Sequence, residues 1–229
     1  MVLETSHRVG KVALALGDNI IAERTLDDQR RHARDLAPAI HELLKASDWR
    51  LREMDGVIVS RGPGSYTGLR VGLMSAKTLA YATGCALLAI NTFDAIAISA
   101  RAESVNIDVI ADAQQGNVYA QRFGAHTEAL AIVPFEMWLE SALARNAAVT
   151  GPGVETFANR LPSGLKLLDR SGWYALSASL LKLGRARFCN GERDDPFAIE
   201  PMYLRASSAE TMWEKLHPTT GGVPETASE

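Results

Sequence analysis

A glycine-rich turn is the stretch of this sequence whose residue types and spacing best suit chemistry. Residues 57–82 read VIVSRGPGSYTGLRVGLMSAKTLAYA, so that an apolar run ends in Gly62, Gly64 and Gly68 and a helical pattern follows. Turns of this kind often bind phosphate, because their backbone N–H groups point at an anion from the N-terminus of a helix. The turn is therefore the first candidate for a nucleotide site.

The turn matches neither of the common nucleotide-binding motifs. A P-loop has Lys-Ser or Lys-Thr directly after its glycines, whereas Lys77 comes too late, and the glycine spacing differs from the dinucleotide fingerprint. Two interpretations remain open. Either Ser65 or Thr67 caps the following helix while the glycines permit close approach of another backbone, or the turn binds an anion or another ligand.

Two carboxylates are placed where a strand is expected to end. Glu4 follows the first apolar residues in LETS, and Asp112 precedes a turn in IADAQQG. A strand-end carboxylate can face a nucleotide or its metal ion. It can equally be a solvated side chain, and the sequence leaves both interpretations open.

Neither a metal site nor a nucleophile emerges from the remaining residues. His32 and His41 are nine positions apart, which places them on roughly opposite faces of one helix. No G-x-S-x-G elbow is present, and no histidine has a spacing that pairs it with Ser65. We therefore predict no metal ligands and no catalytic residue. The five histidines are His7, His32, His41, His126 and His217.

The composition is that of an ordinary globular protein. The 229 residues are 47% hydrophobic and carry a formal net charge of −3, so no global basic field attracts nucleic acid. No apolar run approaches the roughly 18 residues of a membrane-spanning helix, and the N-terminus lacks a signal-peptide pattern. Cys85 and Cys189 have no C-x-x-C spacing. We expect two buried thiols in a cytoplasmic protein.

The elements that must position these residues form an α/β pattern that occurs twice. Three strands, a helix around Pro38, a strand, a second helix ending at Gly84, another strand and another helix fill the first hundred residues. A hairpin turning near Gln115 then starts a second α/β series, although no internal repeat can be aligned. We predict an N-terminal lobe over 1–100, a C-terminal lobe over 101–216 and a disordered tail over 217–229.

The helix of residues 71–83 has more apolar surface than one buried stripe requires. Its large apolar residues face more than one direction, while Gly72, Ser75 and Ala76 keep another face small. Such a helix is either buried within the monomer or covered by a partner. The apolar residues are Val71, Leu73, Met74, Leu79 and Tyr81.

The stretch RGPGSYTGLRVGLMSAKTLA closely resembles the signature of the bacterial TsaB (YeaZ) family. Weaker collinear matches are LETS, HARDLAPAIHELL, DAQQGNVY and EPMYLR, which together extend from about residue 2 to 205. The resemblance implies the ASKHA fold of actin-like ATPases and sugar kinases, with two lobes that each contain a mixed β-sheet flanked by helices. Family members often have Asp in place of Glu4 and arginine near Gln114 and Gln115.

The resemblance implies a non-catalytic subunit. TsaB is a paralogue of TsaD, the transferase that completes N6-threonylcarbamoyladenosine next to the anticodon of tRNAs reading codons that begin with A. TsaD holds a metal ion through an H-x-x-x-H pair, and Thr92 and Ile96 stand at those positions here. The resemblance implies that the complex uses ATP, that this subunit alone binds no cofactor, and that tRNA is met only through the complex.

The resemblance also implies a docking surface on the first two helices. TsaB pairs there with TsaD and works with TsaE and TsaC, and a homodimer through the same helices is expected for the isolated chain. The glycine turn is then a remnant nucleotide loop formed by Glu4, Gly62, Gly64, Ser65, Thr67 and Gly68. The candidate partner-binding residues are Leu36, Ile40, Leu43, Arg70, Val71, Met74 and Tyr81.

Two other functions remain as alternatives. One is an active ATP-dependent transferase or phosphotransferase of the ASKHA group, with Glu4, Ser65 and Thr67 near the phosphates. The other is a metallopeptidase, a label once attached to this superfamily, which the substitution of both histidines disfavours. Tight magnesium-dependent ATP binding with turnover would distinguish an enzyme from a scaffold.

Overall fold

The first sheet of the computed structural model combines an antiparallel meander with two parallel strands. Strand β1 pairs with β2 and β2 with β3 in antiparallel fashion, whereas β1 with β4 and β4 with β5 are parallel, in the order β3-β2-β1-β4-β5. The structure describes residues 1–26, 32–101 and 106–204. The strands are β1 (Val2–Glu4), β2 (Lys11–Leu16), β3 (Asn19–Thr25), β4 (Gly56–Gly62) and β5 (Ala86–Asn91).

The first helices begin and end where local sequence signals predict. Helix α1 (His32–Ala46) contains Pro38 in its interior, and α2 (Tyr66–Thr83) packs against α1 and β4. The Ser65 hydroxyl caps α2, and Gly84 ends it in the left-handed conformation at φ 73°. Helix α3 (Thr92–Ala100) follows β5. The predicted capping role of Ser65 and the C-cap at Gly84 are confirmed.

The second sheet repeats the topology of the first. Strands β6–β7 and β7–β8 are antiparallel, whereas β6–β9 and β9–β10 are parallel, in the order β10-β9-β6-β7-β8. The helices of this half are α4 (Phe135–Ala144), α5 (Gly153–Thr156) and α6 (Ser177–Cys189). The strands are β6 (Ile107–Asp112), β7 (Asn117–Phe123), β8 (Ala131–Pro134), β9 (Ala148–Thr150) and β10 (Lys166–Leu167).

The matching sheets reveal an internal repeat that the sequence conceals. Leu3 of β1 pairs with Val59 of β4, and Ile107 of β6 pairs with Ala148 of β9. Three residues beyond each of these β4 and β9 positions, the chain reads Gly-Pro-Gly, at 62–64 and again at 151–153. The repeat is one of topology, and at these positions the two halves share only this short motif, which is too little for an alignment of their sequences.

Helix α6 crosses back to the first sheet. It lies within the predicted second lobe, yet it packs against β1, β4, β5 and α3. Gly184 allows this contact, since a Cβ atom there would lie 2.6 Å from the side chain of Ile58. The division of the chain at residue 100 remains a prediction, and the predicted tail over 217–229 lies outside the described residues.

The thiols differ from the expectation, and no membrane-spanning helix is found. Cys85 is half-buried, but Cys189 is exposed near the end of α6, so the prediction of two buried thiols is wrong. Among the described residues, no helix has the length and apolarity needed to cross a membrane.

Candidate functional site

The glycine turn and the first turns of α2 lie directly against the chain that leaves β1. A Cβ atom added at Gly68 would lie 2.0 Å from the Thr5 carbonyl oxygen, and one at Gly72 would lie 2.0 Å from the Thr5 hydroxyl. A Cβ atom at Gly64 would lie 2.4 Å from the Ser6 carbonyl oxygen. Any larger residue would collide, so these glycines serve close packing of the protein on itself.

Several backbone donors of the turn are engaged within the protein. The Ser65 N–H donates to the Ser6 carbonyl at 2.7 Å, and the Leu69 N–H donates to the Ser65 carbonyl at 2.8 Å. The Gly68 N–H donates to the Ser65 hydroxyl at 3.3 Å. Groups of this type bind phosphate in nucleotide loops, but here the Ser65 N–H holds the turn to the chain just after β1, and the other two bond to Ser65 at the start of α2. Thr67 is exposed on the first turn of α2.

Glu4 is a buried carboxylate at the end of β1. Its side chain is only 3% exposed, and its Oε1 accepts hydrogen bonds from the Ser6 N–H at 2.7 Å and from the Ser6 hydroxyl. Among the described residues, Oε2 has no hydrogen-bond partner. Burial raises the pKa of Glu4 above its ordinary value, and the hydrogen bonds from Ser6 oppose this shift.

Asp112 has a local structural role. It is exposed, and its Oδ1 accepts a hydrogen bond from the Gln114 N–H at 2.7 Å, which shapes the turn between β6 and β7. Gln114 and Gln115 both have positive φ values, 62° and 53°, and their side chains are exposed. The predicted hairpin is confirmed.

Three of the predicted docking residues lie in the core. Leu36 is 1% exposed, and Ile40 and Leu43 are each 8% exposed. All three belong to the cluster between α1, α2 and the first sheet, and Val71 packs half-buried against it. In the isolated chain these side chains therefore support the shape of the helical surface, and only Ile40 also contributes to the groove described below.

The other predicted docking residues lie on the exterior of α2. Met74 is 57% exposed and Tyr81 is 72% exposed. Arg70 is exposed but not isolated, because its guanidinium stacks 4.1 Å from the Tyr66 ring centroid and its Nε donates to the Tyr203 hydroxyl at 2.8 Å. Sequence periodicity alone cannot separate these outward residues from the core.

A groove separates α1 from α2 beside Met74. Its volume is about 640 Å³, and the segment after α1 closes one end. The exposure of Met74 and the apolar lining make this groove a candidate docking site on the two helices. The apolar residues that line it are Ile40, Leu44, Trp49, Leu51, Met74 and Leu79.

A C-terminal strap, which we define as residues 194–204, runs back along α2. Asp194 fixes its start, because its carboxylate accepts from the Ala89 N–H at 2.7 Å and from both terminal nitrogens of Arg187, at 3.0 and 3.1 Å. Lys77 Nζ donates to the Ile199 carbonyl at 3.0 Å. Phe197 packs edge-on against Tyr81, with ring centroids 5.7 Å apart.

Sequence reasoning missed the strap as a structural element. The EPMYLR match contains Tyr203, the partner of Arg70, but nothing in its spacing indicates an approach to a helix more than a hundred positions earlier. The strap ends beside the glycine turn, where the Met202 N–H donates to the Arg61 carbonyl at 2.7 Å. It therefore borders the exposed face of α2 along much of the helix.

A contact between the halves of the molecule was also missed. His7, just after β1, packs on Tyr174, with ring centroids 3.9 Å apart. The Tyr174 hydroxyl donates to Glu155, and burial together with this hydrogen bond raises the pKa of Tyr174 to about 12. The contact links the β1 end to the segment that precedes α6.

The two positions at which the resemblance implies metal ligands in TsaD carry a hydroxyl and an apolar side chain here, and both lie in α3. Thr92 and Ile96 are both buried in α3, at 4% and 1% exposure. The described residues contain no group of three or more His, Cys, Asp or Glu that could hold a metal ion. His217 lies outside the described residues, and the absence of a metal site remains a prediction.

Comparison with known proteins identifies the family. The model of the family described as TsaD: tRNA N6-adenosine threonylcarbamoyltransferase matches residues 19–166. The chain belongs to this family. Within it, a TsaB protein of Bacillus subtilis is 28% identical over 93% of this chain and 96% of its own length. A TsaB protein of Escherichia coli is 26% identical over 82% of this chain and 85% of its own length.

A solved structure supports the same assignment of the fold. YeaZ from Pseudomonas aeruginosa is 24% identical, covers 89% of this chain and 98% of its own, and superposes with a TM-score of 0.72. The predicted ASKHA fold with two mixed sheets flanked by helices is confirmed. The resemblance to TsaB (YeaZ) is likewise confirmed. Both curated relatives are named as tRNA threonylcarbamoyladenosine biosynthesis proteins.

Proposed function

We propose that this chain is a non-catalytic scaffold subunit of the complex that forms N6-threonylcarbamoyladenosine next to the anticodon of tRNAs reading codons that begin with A. Its direct partner is TsaD, with which it forms a heterodimer, and TsaE joins in a ternary complex. TsaC acts in the same biosynthesis. The complex uses ATP and meets tRNA in the cytoplasm, while this subunit alone binds no cofactor.

The exposed apolar face of α2 carries the proposal. Met74 and Tyr81 are 57% and 72% exposed, and Met74 also lines the groove beside α1. A helix pair that leaves large apolar side chains in water gains stability when a partner covers them, by about 25 cal/mol per Å² of apolar area removed from water. Two packed helices with a groove between them suit helices of a partner, whose side-chain ridges fit such grooves.

The packing of the glycine turn supports a non-catalytic role. The Thr5 and Ser6 carbonyl oxygens, rather than open space, lie directly beside Gly68 and Gly64. The Ser65 and Gly68 N–H groups donate within the protein.

Assembly with TsaD from the same source tests the proposal. We expect a mixture to elute from a size-exclusion column as one peak with the light-scattering mass of one chain of each. Met74→Asp should abolish this peak, because it places a charge in the interface. The matched control is Met137→Asp, which changes a methionine of α4 that is 64% exposed and should leave assembly intact.

Two results would contradict the proposal. One is two unshifted peaks across a range of salt and nucleotide concentrations. The other is Met74→Asp assembling as well as the Met137→Asp control. The same experiment on the chain alone shows whether it forms a homodimer, which Met74→Asp should convert to a monomer if the same face is used.

One observation favours the alternative of an active ATP-dependent transferase or phosphotransferase. The Oε2 atom of Glu4 is buried at a strand end and has no hydrogen-bond partner among the described residues. Titration with ATP and magnesium, followed by a hydrolysis assay, decides between the two functions. Tight binding with turnover that Glu4→Gln abolishes would establish the enzyme, whereas the scaffold proposal expects no turnover by the chain alone.

A further inference from the structure

The groove between α1 and α2 lies close to the point where the described chain stops. Tyr203 contacts Tyr66 and Arg70, so the strap ends beside the first turns of α2. Met74, one turn further along the helix, already lines the groove. A further 25 residues follow Leu204 in the sequence.

The residues that come next have the pattern of a short amphipathic helix. Residues 207–217 read SSAETMWEKLH, in which Ser207 and Glu210 have the spacing of a capping box. The apolar residues then occur at positions i, i+3, i+4 and i+7, which places them on one helical face. They are Ala209, Met212, Trp213 and Leu216. This segment lies outside the described residues, so the pattern is a prediction from sequence.

We propose that residues 207–217 form an amphipathic helix that occupies the α1/α2 groove of the same chain when no partner covers it. The groove is lined by apolar side chains and is about 640 Å³ in volume, and the segment offers a tryptophan, a methionine and a leucine on one face. The apolar face of the segment can therefore cover the apolar lining of the groove.

The reach and the charges agree with this occupant. Residues 205–207 span about 10 Å when extended, which is enough to pass from the first turn of α2 to Met74. A helix of eleven residues is about 16 Å long, close to three turns of α2. Glu210 and Glu214 lie on one flank of the apolar face, and His41 and Lys45 of α1 lie at the groove.

Because the segment is covalently attached close to the groove, even a weak interaction is sufficient to keep the groove occupied. A short linker gives the segment an effective concentration on the order of 1 mM at the groove. If the free peptide bound with a Kd of about 0.1 mM, the groove would be filled about nine-tenths of the time. A partner would then have to displace the segment, at a loss of about tenfold in apparent affinity. The contact needs no partner, so its test is independent of the proposed function.

Methyl NMR of the full-length chain, with 13C-labelled methionine methyl groups, tests the proposal. The ring of Trp213 should shift the resonance of the Met74 methyl group when the segment is docked. We expect Trp213→Ala to move the Met74 resonance and to leave the resonance of Met137, on α4, unchanged. Adding a peptide of residues 206–217 to the Trp213→Ala protein should return the Met74 resonance to its wild-type position.

Each other outcome would overturn the proposal. An unmoved Met74 resonance would show that the segment does not contact the groove. A Met74 shift that depends on protein concentration would identify a second copy of the chain as the occupant. A peptide that cannot restore the resonance at millimolar concentration would show that the segment has too little affinity. The Met137 and Met202 resonances report in each case whether the variant is folded.

Discussion

The turns that precede α2 and α5 occupy equivalent places in the two sheets and share the sequence Gly-Pro-Gly, yet the helices that follow differ greatly. Helix α2 has 18 residues and an exposed apolar face, whereas α5 has four residues. In both places a glycine packs on the neighbouring strand, since a Cβ atom at Gly151 would lie 2.3 Å from the Ile110 carbonyl oxygen. Close packing of a turn on a strand is thus a property of the fold, and the exposed face of α2 is the feature that needs a functional explanation.

The repeat also brings two buried carboxylates into equivalent positions. Glu4 follows Leu3, and Asp108 follows Ile107, the residue that occupies the matching register. Each is 3% exposed, and burial raises the pKa of both. Asp108 accepts from Arg145 at 2.6 Å and from the Trp138 indole at 3.1 Å, whereas Glu4 accepts from the N–H and the hydroxyl of Ser6. Asp108 is thus paired directly with an arginine, whereas the positive charge near Glu4 is that of Lys11, which lowers the Glu4 pKa and only partly opposes the effect of burial.

Substitution of the turn glycines should have the largest effect. Gly68→Ala would place a Cβ atom 2.0 Å from a backbone oxygen, so we expect a loss of about 3 kcal/mol in the free energy of unfolding. Gly153→Ala meets its nearest atom at 2.9 Å and should cost about 1–2 kcal/mol. Urea unfolding measures both changes.

The control for these variants is Gly164→Ala, where no described atom lies within 4 Å of the added Cβ. This change should alter stability by less than about 0.5 kcal/mol. If Gly68→Ala were as stable as this control, the close packing of Thr5 against α2 would be wrong.

Removal of the anchor of the strap should have an intermediate effect. Asp194→Ala leaves the Ala89 N–H without its acceptor and removes the carboxylate that accepts from both terminal nitrogens of the half-buried Arg187, and we expect a loss of about 2 kcal/mol in the free energy of unfolding. Glu192→Ala removes an exposed partner of the same guanidinium and should cost about 0.5 kcal/mol or less. Equal losses in thermal or urea unfolding would show that Asp194 has no special role in fixing the strap to the first lobe.

The smallest effect should be a change in pH dependence at Glu4. Because the pKa of folded Glu4 is raised, the unfolded chain loses its proton first, and wild-type stability should fall as the pH rises above the ordinary value of 4.5. Glu4→Gln should remove this loss, so its stability relative to the wild type should be greater at pH 8 than at pH 4. The comparison of urea midpoints at the two pH values checks it.

A matched control for this change is Glu200→Gln, at an exposed glutamate. It should reproduce the wild-type pH dependence. A Glu4→Gln protein with the same pH dependence as this control would mean that the Glu4 carboxylate is well solvated in the folded protein.

Much of the fold could be predicted because it depends on local signals. The Ser65 cap, the Gly84 C-cap and the hairpin near Gln115 each follow from a few neighbouring residues. The return of α6 to the first sheet could not be predicted, because nothing in its own sequence selects one sheet over the other. The internal repeat could not be recognised for a related reason. The two halves share the pairing of their strands, but the motif that their sequences share at the equivalent positions is only Gly-Pro-Gly.

The candidate site was predictable to a smaller extent. The exposed positions Met74 and Tyr81 and the buried Leu36 look alike in sequence, because an apolar side chain at helical spacing suits a core and an interface equally well. Only the position of the first sheet beneath the helices shows which of these residues are buried and which are exposed. The strap and the contact of His7 with Tyr174 join residues far apart in the chain, which periodicity cannot detect.

The return of α6 has a consequence for the order in which the protein folds during synthesis. The first lobe shares a cluster that includes Val2 as well as Leu180 and Leu181 of α6. The cluster inside the second lobe draws its buried members only from residues between Ile110 and Leu165. Multidomain chains generally fold from the N-terminus as they leave the ribosome. The first sheet also has a cluster whose buried members all lie between Met1 and Ala89, so that layer can form early. The layer on its other face must wait for α6, and this unfinished face is what a chaperone would meet on the nascent chain.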